Sequence, residues 1–422
     1  MTLQERDLQS VWHPFTQMKL ESHSIPIIKG EGVYLIDENG KRYIDAIASW
    51  WVNIHGHAHP YIAQKVFEQL NTLEHVIFAG FTHEPAVQLA ERLLKLLPES
   101  HTKMFYSDNG STAVEVAVKM AFQFWHNRGE EKPHIIAFRN GYHGDTFGAM
   151  SVSGRSAYTQ PFTHHLFDVC FIDEPTQGNE QSTKEQLAQI LKTNKVAAFI
   201  FEPLVMGASG MLMYEPEILD ELIALCKDAG VLTIADEVMT GFARTGRMFA
   251  TDYLTNKPDI ICLSKGITGG TMALGATTCT EAIYSAFYSD DKLKTFFHGH
   301  SYTANPVACA AALASLDLFQ QEAACNGVVR ITKAHERFLL KLKQHDKAGN
   351  ARMRGTILAF DLITSEENSY FHTERDAIYR FFLEKGILLR PLGNTIYIMP
   401  PYCITEAELD TVYNAISALL SR

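Results

Sequence analysis

The stretch from Val231 to Gly270, VLTIADEVMTGFARTGRMFATDYLTNKPDIICLSKGITGG, constrains the fold of this chain more than any other. It holds two short apolar runs, Val231–Ala235 and Ile260–Leu263. The first stops at Asp236-Glu237, the second at Ser264-Lys265 and a Gly-rich segment. Runs this short and apolar, bounded by turn residues, suit strands buried on both faces of a parallel sheet. Ligands of open α/β sheets collect at the carboxyl ends of the strands. An acid, Asp236, and an amine, Lys265, are therefore expected at one sheet edge.

Two readings of Lys265 follow from its position. In one, its ammonium simply reaches water at the sheet rim, since lysine is seldom buried without a partner. In the other, a desolvated and more readily neutral amine attacks a carbonyl. Pyridoxal phosphate (PLP) requires such a lysine, together with a carboxylate at its ring nitrogen, because the protonated pyridinium is the better electron sink. Asp236 has the charge for that role.

At 422 residues the chain is long enough for two domains, or for one large domain with an appendage, and its 46% hydrophobic content is ample for a full core. A formal charge of −11 argues against non-specific nucleic-acid binding. The N-terminal MTLQERDLQS lacks an apolar signal core, and no apolar run reaches membrane-spanning length, so a cytoplasmic location is expected. Seven cysteines without a Cys-x-x-Cys pair fit reduced thiols.

Along the chain, Gly30–Asp45 alternates around Asp37-Glu38-Asn39-Gly40 and reads as a small antiparallel hairpin. In SWWVNIHGHAHP, Trp50 and Trp51 suit either core packing or a binding wall. His55, His57 and His59 alternate, but Gly56 and Pro60 break the strand and no carboxylate or cysteine is close in sequence; no metal is expected. Residues 60–97 read as helical with a turn near Gly80. Met104–Tyr106 reads as a strand, and Ser111 as the cap of a following helix whose free N–H groups would seat a phosphate. IIAFRNGYHGDTFGAMSVSG reads as strand, Gly-rich turn and short helix, with Tyr142 and His143 in the turn. Further strands are expected at 168–172, 196–201 and 273–278, and a helix over Pro216–Gly230 with one apolar stripe. Such alternation implies a mostly parallel sheet. An Ala-rich helix opens near Asn305-Pro306; from about 321 a charged helix, strands at 357–362 and 396–399 and a helix near 374–385 suggest an α+β end domain, against which the N-terminal hairpin is expected to pack. GFARTGR lacks the lysine of a P-loop, no GxGxxG or GxSxG occurs, and HGH at 298–300 lacks metal-ligand spacing.

Six ordered stretches, YSDNGSTAVEVAVKMA, FRNGYHGDTFGAMSVSG, IFEPLVMGASGM, IADEVMTGFARTG, DIICLSKGITGG and HGHSYTANP, resemble the class-III (ω-type) PLP-dependent aminotransferases of fold type I. The resemblance implies an α/β large domain with a mostly parallel central sheet flanked by helices over 48–320. A small α+β domain would be drawn from 1–47 and 321–422. It implies a PLP-dependent transaminase in which Lys265 binds the cofactor aldehyde and then carries a proton. Asp236 would pair with the pyridinium nitrogen. Gly110 and Ser111 would bind phosphate, and Tyr142 would stack on the ring. His300 and Ser301 would reach the phosphate of a neighbouring subunit in a homodimer with shared sites. Trp50 and Tyr142 would line the substrate pocket near Gly299, and Arg390 would clamp a substrate carboxylate. Glu202, Arg244 and Tyr397 are secondary site candidates.

WHPFTQM, SWWVNIHGHAHP and RPLGNTIYIMPP are similar to the branch of the class that aminates 8-amino-7-oxononanoate in biotin synthesis. The alternative is another class-III enzyme acting on a diamine or on a 4-aminobutyrate-type substrate. Phe15 stands where many users of S-adenosylmethionine carry a tyrosine implicated in substrate recognition, which leaves S-adenosylmethionine and lysine both open as amino donor. Ser301 replaces a more usual threonine, and Ala243 a common glycine. A mutase or decarboxylase on the same scaffold, or a catalytically silent binding protein, are the remaining rivals.

Overall fold

The computed structural model describes residues 1–20, 24–364 and 374–422. Its centre is a seven-stranded sheet. From edge to edge the strands are His101–Ser107, Gly275–Thr280, Ile260–Leu263, Leu232–Asp236, Val196–Phe201, His134–Phe138 and Val169–Ile172. Neighbours pair in parallel except Gly275–Thr280, which runs antiparallel to both of its partners. The expected strand at 273–278 is thus displaced by two residues and reversed. The central strands are buried along their whole length, as their unbroken apolar sequences require.

Register sets the position of the polar residues. Asp236 lies level with Cys262, and Ala235 with Phe201. Glu202, Asp236 and Lys265 therefore emerge from the carboxyl ends of three adjacent strands. Helices cover the sheet. In Pro216–Asp228 the stripe Ile218, Leu219, Leu222, Ile223 and Cys226 is buried, and each large side chain contributes about 1.5–3 kcal/mol. Gly230 follows with φ +64°, a conformation in which any other residue would be strained.

The helix Gly110–Asn127 is capped by Asn109, whose side chain accepts from the Thr112 N–H, and not by Ser111. Ser111 lies one residue inside the helix, and its Oγ accepts from the Asp145 N–H at 3.1 Å.

The chain ends meet in a second sheet. Ile27–Glu31, Tyr34–Asp37 and Arg42–Asp45 are antiparallel, and Ile387–Leu388 adds in parallel to Arg42–Asp45. A three-stranded antiparallel sheet of Ala348–Arg354, Ile357–Leu362 and Thr395–Ile398 packs on the helix Glu322–Leu342, which also meets the helix Glu406–Leu420. The last helix carries a capping box, Thr405 and Glu408, that is readable as T-x-x-E in the sequence. Among the described residues no helix is long and apolar enough to cross a membrane.

Candidate active site

A cavity of about 410 Å³ opens at the carboxyl ends of the strands. Its lining includes Gly110, Ser111, Tyr142, Asp236, Lys265 and Trp51. The 18-residue helix beginning at Gly110 points its free N–H groups and positive dipole end at one wall. Close backbone approach makes this possible: a Cβ on Gly144, at φ +128°, would run into Ser111, and one on Gly275 would run into the carbonyl of Asn109.

Asp236 is buried at the end of its strand. It accepts from the Val238 N–H at 3.1 Å and from His143 Nδ1–H at 2.8 Å. His143 is itself buried, with its backbone N–H on Ser153 Oγ at 2.8 Å, and its Nε2 has no partner among the described residues. The imidazole thus fixes the orientation of the carboxylate from behind.

Lys265 begins a 3₁₀ turn with φ +47°, a left-handed conformation costing an L-residue roughly 1–2 kcal/mol. Its Nζ lies 4.7 Å from the centre of the Trp51 ring. Burial lowers the amine to about 8, against the opposing pull of Asp236 and Glu202, which favour the charged form; the Arg244 guanidinium adds to the lowering. Glu202 accepts from the Tyr142 N–H at 3.0 Å and the Gly207 N–H at 2.9 Å, and burial pushes its carboxyl up to about 7. Burial also raises the Tyr142 phenol. The cavity therefore combines an amine readily made neutral, a fixed carboxylate and a helix N-terminus.

The other sequence candidates fall into three places. Phe15, Trp50 and Arg390 cluster outside the cavity lining: Phe15 packs on Trp50 at 5.5 Å and Tyr158 at 5.8 Å, and the Arg390 guanidinium stands 5.8 Å from the Trp50 ring. Trp50 is 45% exposed while Trp51 is 5% exposed, so the tandem splits, one ring facing outward and one walling the cavity. Gly299, His300 and Ser301 lie in a loop that does not line the cavity, and Gly299 and Ser301 are exposed.

Arg244 and Tyr397 do not line the cavity either. Arg244 is fully buried, donating to the carbonyls of Pro400 at 2.8 Å and Asn53 at 3.0 Å. Tyr397 holds Trp51, whose Nε1–H donates to its hydroxyl at 2.9 Å. Ala243 has φ +70° beside Phe242 at +59°, which explains why a glycine suits that position. His143 and Trp51 are among the cavity residues to which sequence reasoning gave no definite role. The only available signal for His143 was its place beside Tyr142 in a Gly-rich turn.

The His55 and His57 side chains are engaged elsewhere: His55 Nε2 meets Ser315 Oγ at 3.0 Å, and His57 Nε2 meets Asp45 at 2.9 Å.

Comparison with known proteins bears directly on this arrangement. Residues 17–420 match the family model described as aminotransferase class-III. The chain is 48% identical to the adenosylmethionine-8-amino-7-oxononanoate aminotransferase of Synechococcus elongatus over 97% of this chain and 98% of that protein. The crystal structure of the same-named enzyme from Methanocaldococcus jannaschii superposes with a TM-score of 0.93 at 37% identity, covering 99% of this chain and 98% of that one. An ω-transaminase from Pseudomonas jessenii, solved in complex with PMP, gives a TM-score of 0.94 at 27% identity, covering 100% and 98%. With that match spanning the lysine strand, the carboxylate strand and the helix N-terminus alike, the chain belongs to the class-III aminotransferases.

Proposed function

We propose that this protein is a PLP-dependent transaminase that converts 8-amino-7-oxononanoate to 7,8-diaminononanoate. The observation that carries the reading is the pairing of a low-pKa amine, Lys265, with a buried carboxylate, Asp236, at adjacent strand ends over one helix N-terminus. The names of the relatives above favour this substrate over a diamine or 4-aminobutyrate.

The residues present fit the cofactor. Gly110 and Ser111 offer N–H groups and a hydroxyl to a phosphate, and the Gly144 approach keeps that seat narrow. Tyr142 supplies a flat wall, and Asp236, held by His143, an anion for the ring nitrogen. When bound, PLP supplies an aldehyde for amine exchange and an electron sink for the substrate carbon.

The protein's own work is placement and proton transfer. Lys265 Nζ, neutral in an appreciable fraction near pH 7, would take the proton from the amine-bearing carbon of the donor and, in the second half of the exchange, deliver one to C7 of 8-amino-7-oxononanoate. Arg390 binds the substrate carboxylate through its planar fork, with Trp50, Tyr142 and Phe15 along the apolar chain. Gly299, His300 and Ser301 act at the site of a second copy in a homodimer. Exposed Leu293, Phe297 and Tyr302 on the same segment support such a contact. The small domain comprises 1–47 and 321–422 around a large domain of 48–320, a division supported by the pairing of Arg42–Asp45 with Ile387–Leu388. Seven free thiols suit work in the reducing cytoplasm.

The test is to incubate the PLP-loaded protein with 8-amino-7-oxononanoate and either S-adenosylmethionine or lysine, and to detect 7,8-diaminononanoate. Formation with one donor is expected; no diamine with either donor rejects the reading. Phe15 brings no hydroxyl to the Trp50 cluster, so Phe15→Tyr is expected to shift the ratio of the two donor rates toward S-adenosylmethionine. An unchanged ratio removes Phe15 from donor choice.

A further inference from the structure

The segment that carries Trp50 and Trp51 is held in an unfavourable shape. Ala48, Ser49 and Trp51 have φ of +51°, +61° and +67°, although none is glycine. Such a turn persists only where its surroundings over-determine it. Beside the Tyr397 hydroxyl on Trp51 and the backbone bonds of the turn itself, one buried carboxylate gathers its polar groups. Asp45 accepts from the Ile47 N–H at 3.3 Å, the Ser49 N–H at 2.8 Å, the Ser49 hydroxyl at 2.9 Å and His57 Nε2–H at 2.9 Å. Its side chain is wholly buried.

His57 is fixed in turn. Its Nδ1 lies 3.2 Å from Asn53 Nδ2, which leaves Nε2–H for Asp45. Its backbone forms an antiparallel bridge with Gly32 (N–H to Gly32 carbonyl, 2.7 Å; return bond, 3.3 Å). A Cβ on Gly30 would strike the His57 side chain at 2.6 Å. A sequence reading finds no use for this histidine beyond an unsupported metal site; the structure gives it one.

The turn reaches two regions at once. Trp50 meets Arg390 and Phe15, whereas Trp51 meets Lys265. Arg390 follows from the strand Ile387–Leu388, whose Leu388 lies level with Asp45. Asp45 thus stands where the Trp turn and the Arg390 segment leave the same strand pair.

We propose that Asp45 and His57 are positioning residues that hold the Trp50–Trp51 turn at a fixed offset from Arg390, and so set the length of carboxylate-bearing chain that spans from Arg390 to Lys265. The proposal rests on the reading of Arg390 as the carboxylate-binding group. Neither residue touches the substrate; both act through the two tryptophans.

The test measures binding of straight-chain monocarboxylates, heptanoate to undecanoate, to the PLP-loaded protein through the absorbance of the bound cofactor. The native protein is expected to prefer one length. Asp45→Asn and His57→Leu are expected to weaken the preferred acid at least tenfold and to flatten the length profile. His57→Gln keeps an N–H within reach of Asp45 and is expected to restore the profile. If Asp45→Asn does not fold, the His57 pair still decides. A length preference unchanged in His57→Leu, or a loss that His57→Gln does not rescue, overturns the proposal, as does uniform weakening of all lengths. Because binding is read without turnover, rejection of 8-amino-7-oxononanoate as substrate would be a separate result.

Discussion

Titrating Lys265 in the cofactor-free protein tests the electrostatics of the site. A lysine at its ordinary value near 10.4 holds about 0.04% of its amine neutral at pH 7. At about 8, where burial puts Lys265, the neutral share is about 9%, a gain of roughly 200-fold in the form that attacks an aldehyde. Trace acetylation with isotopic acetic anhydride, followed by peptide mapping, reads that share directly. Labelling of the Lys265 peptide should rise about tenfold per pH unit up to about 8 and then level, while a free lysine peptide goes on rising toward about 10. Asp236→Asn removes an anion that favours the ammonium, so its plateau should arrive at lower pH than in the native protein. Stability should follow with a definite sign. Between about 8 and about 10.4 the unfolded chain binds more protons at this site than the folded one, so stability rises with pH across that window, by up to about 3 kcal/mol. Labelling of Lys265 that still climbs tenfold per unit between about pH 8 and 9.5 would refute this account of the amine.

Two further predictions concern single side chains. Ala243→Gly relieves a left-handed φ of +70° worth roughly 1–2 kcal/mol and returns about 0.5–1 kcal/mol as unfolded-chain freedom, so urea melts should show a gain of roughly 0.5–1 kcal/mol; a loss counts against the strain. His143→Gln removes the imidazole donor behind Asp236, a charged hydrogen bond worth about 1.5–3 kcal/mol, so kcat should fall roughly ten- to hundredfold with cofactor content retained, and an unchanged kcat would mean that His143 does not orient Asp236.

The middle of the sheet was legible because its central strands are apolar runs ended by turn residues. Val196–Phe201 and Ile260–Leu263 fall within the stretches read from pattern alone. Direction was not legible: the sequence of Gly275–Thr280, GATTCT, carries no sign of which way the strand runs, and only its pairing shows it antiparallel. The cap of the helix that begins at Gly110 was misread because Asn109 and Ser111 are both good capping residues, and the tight Gly144 turn takes Ser111 for another contact. The placement of Asp236 and Lys265 at one sheet edge was legible because Asp236 ends one apolar run and Lys265 follows another by two residues. His143 was not, because it acts on Asp236, which only folding brings close, and Asp45 was not, because it acts on an adjacent turn whose left-handed backbone has no glycine to announce it.

The central claim is that the Lys265 amine is the group that holds PLP. Borohydride reduction of the PLP-loaded protein, followed by peptide mapping, measures it most directly. The pyridoxyl group is expected on Lys265, and Lys265→Ala is expected to retain no reducible label and no turnover. A pyridoxyl group fixed on any other lysine, or a Lys265→Ala protein that still transfers amino groups, would contradict it.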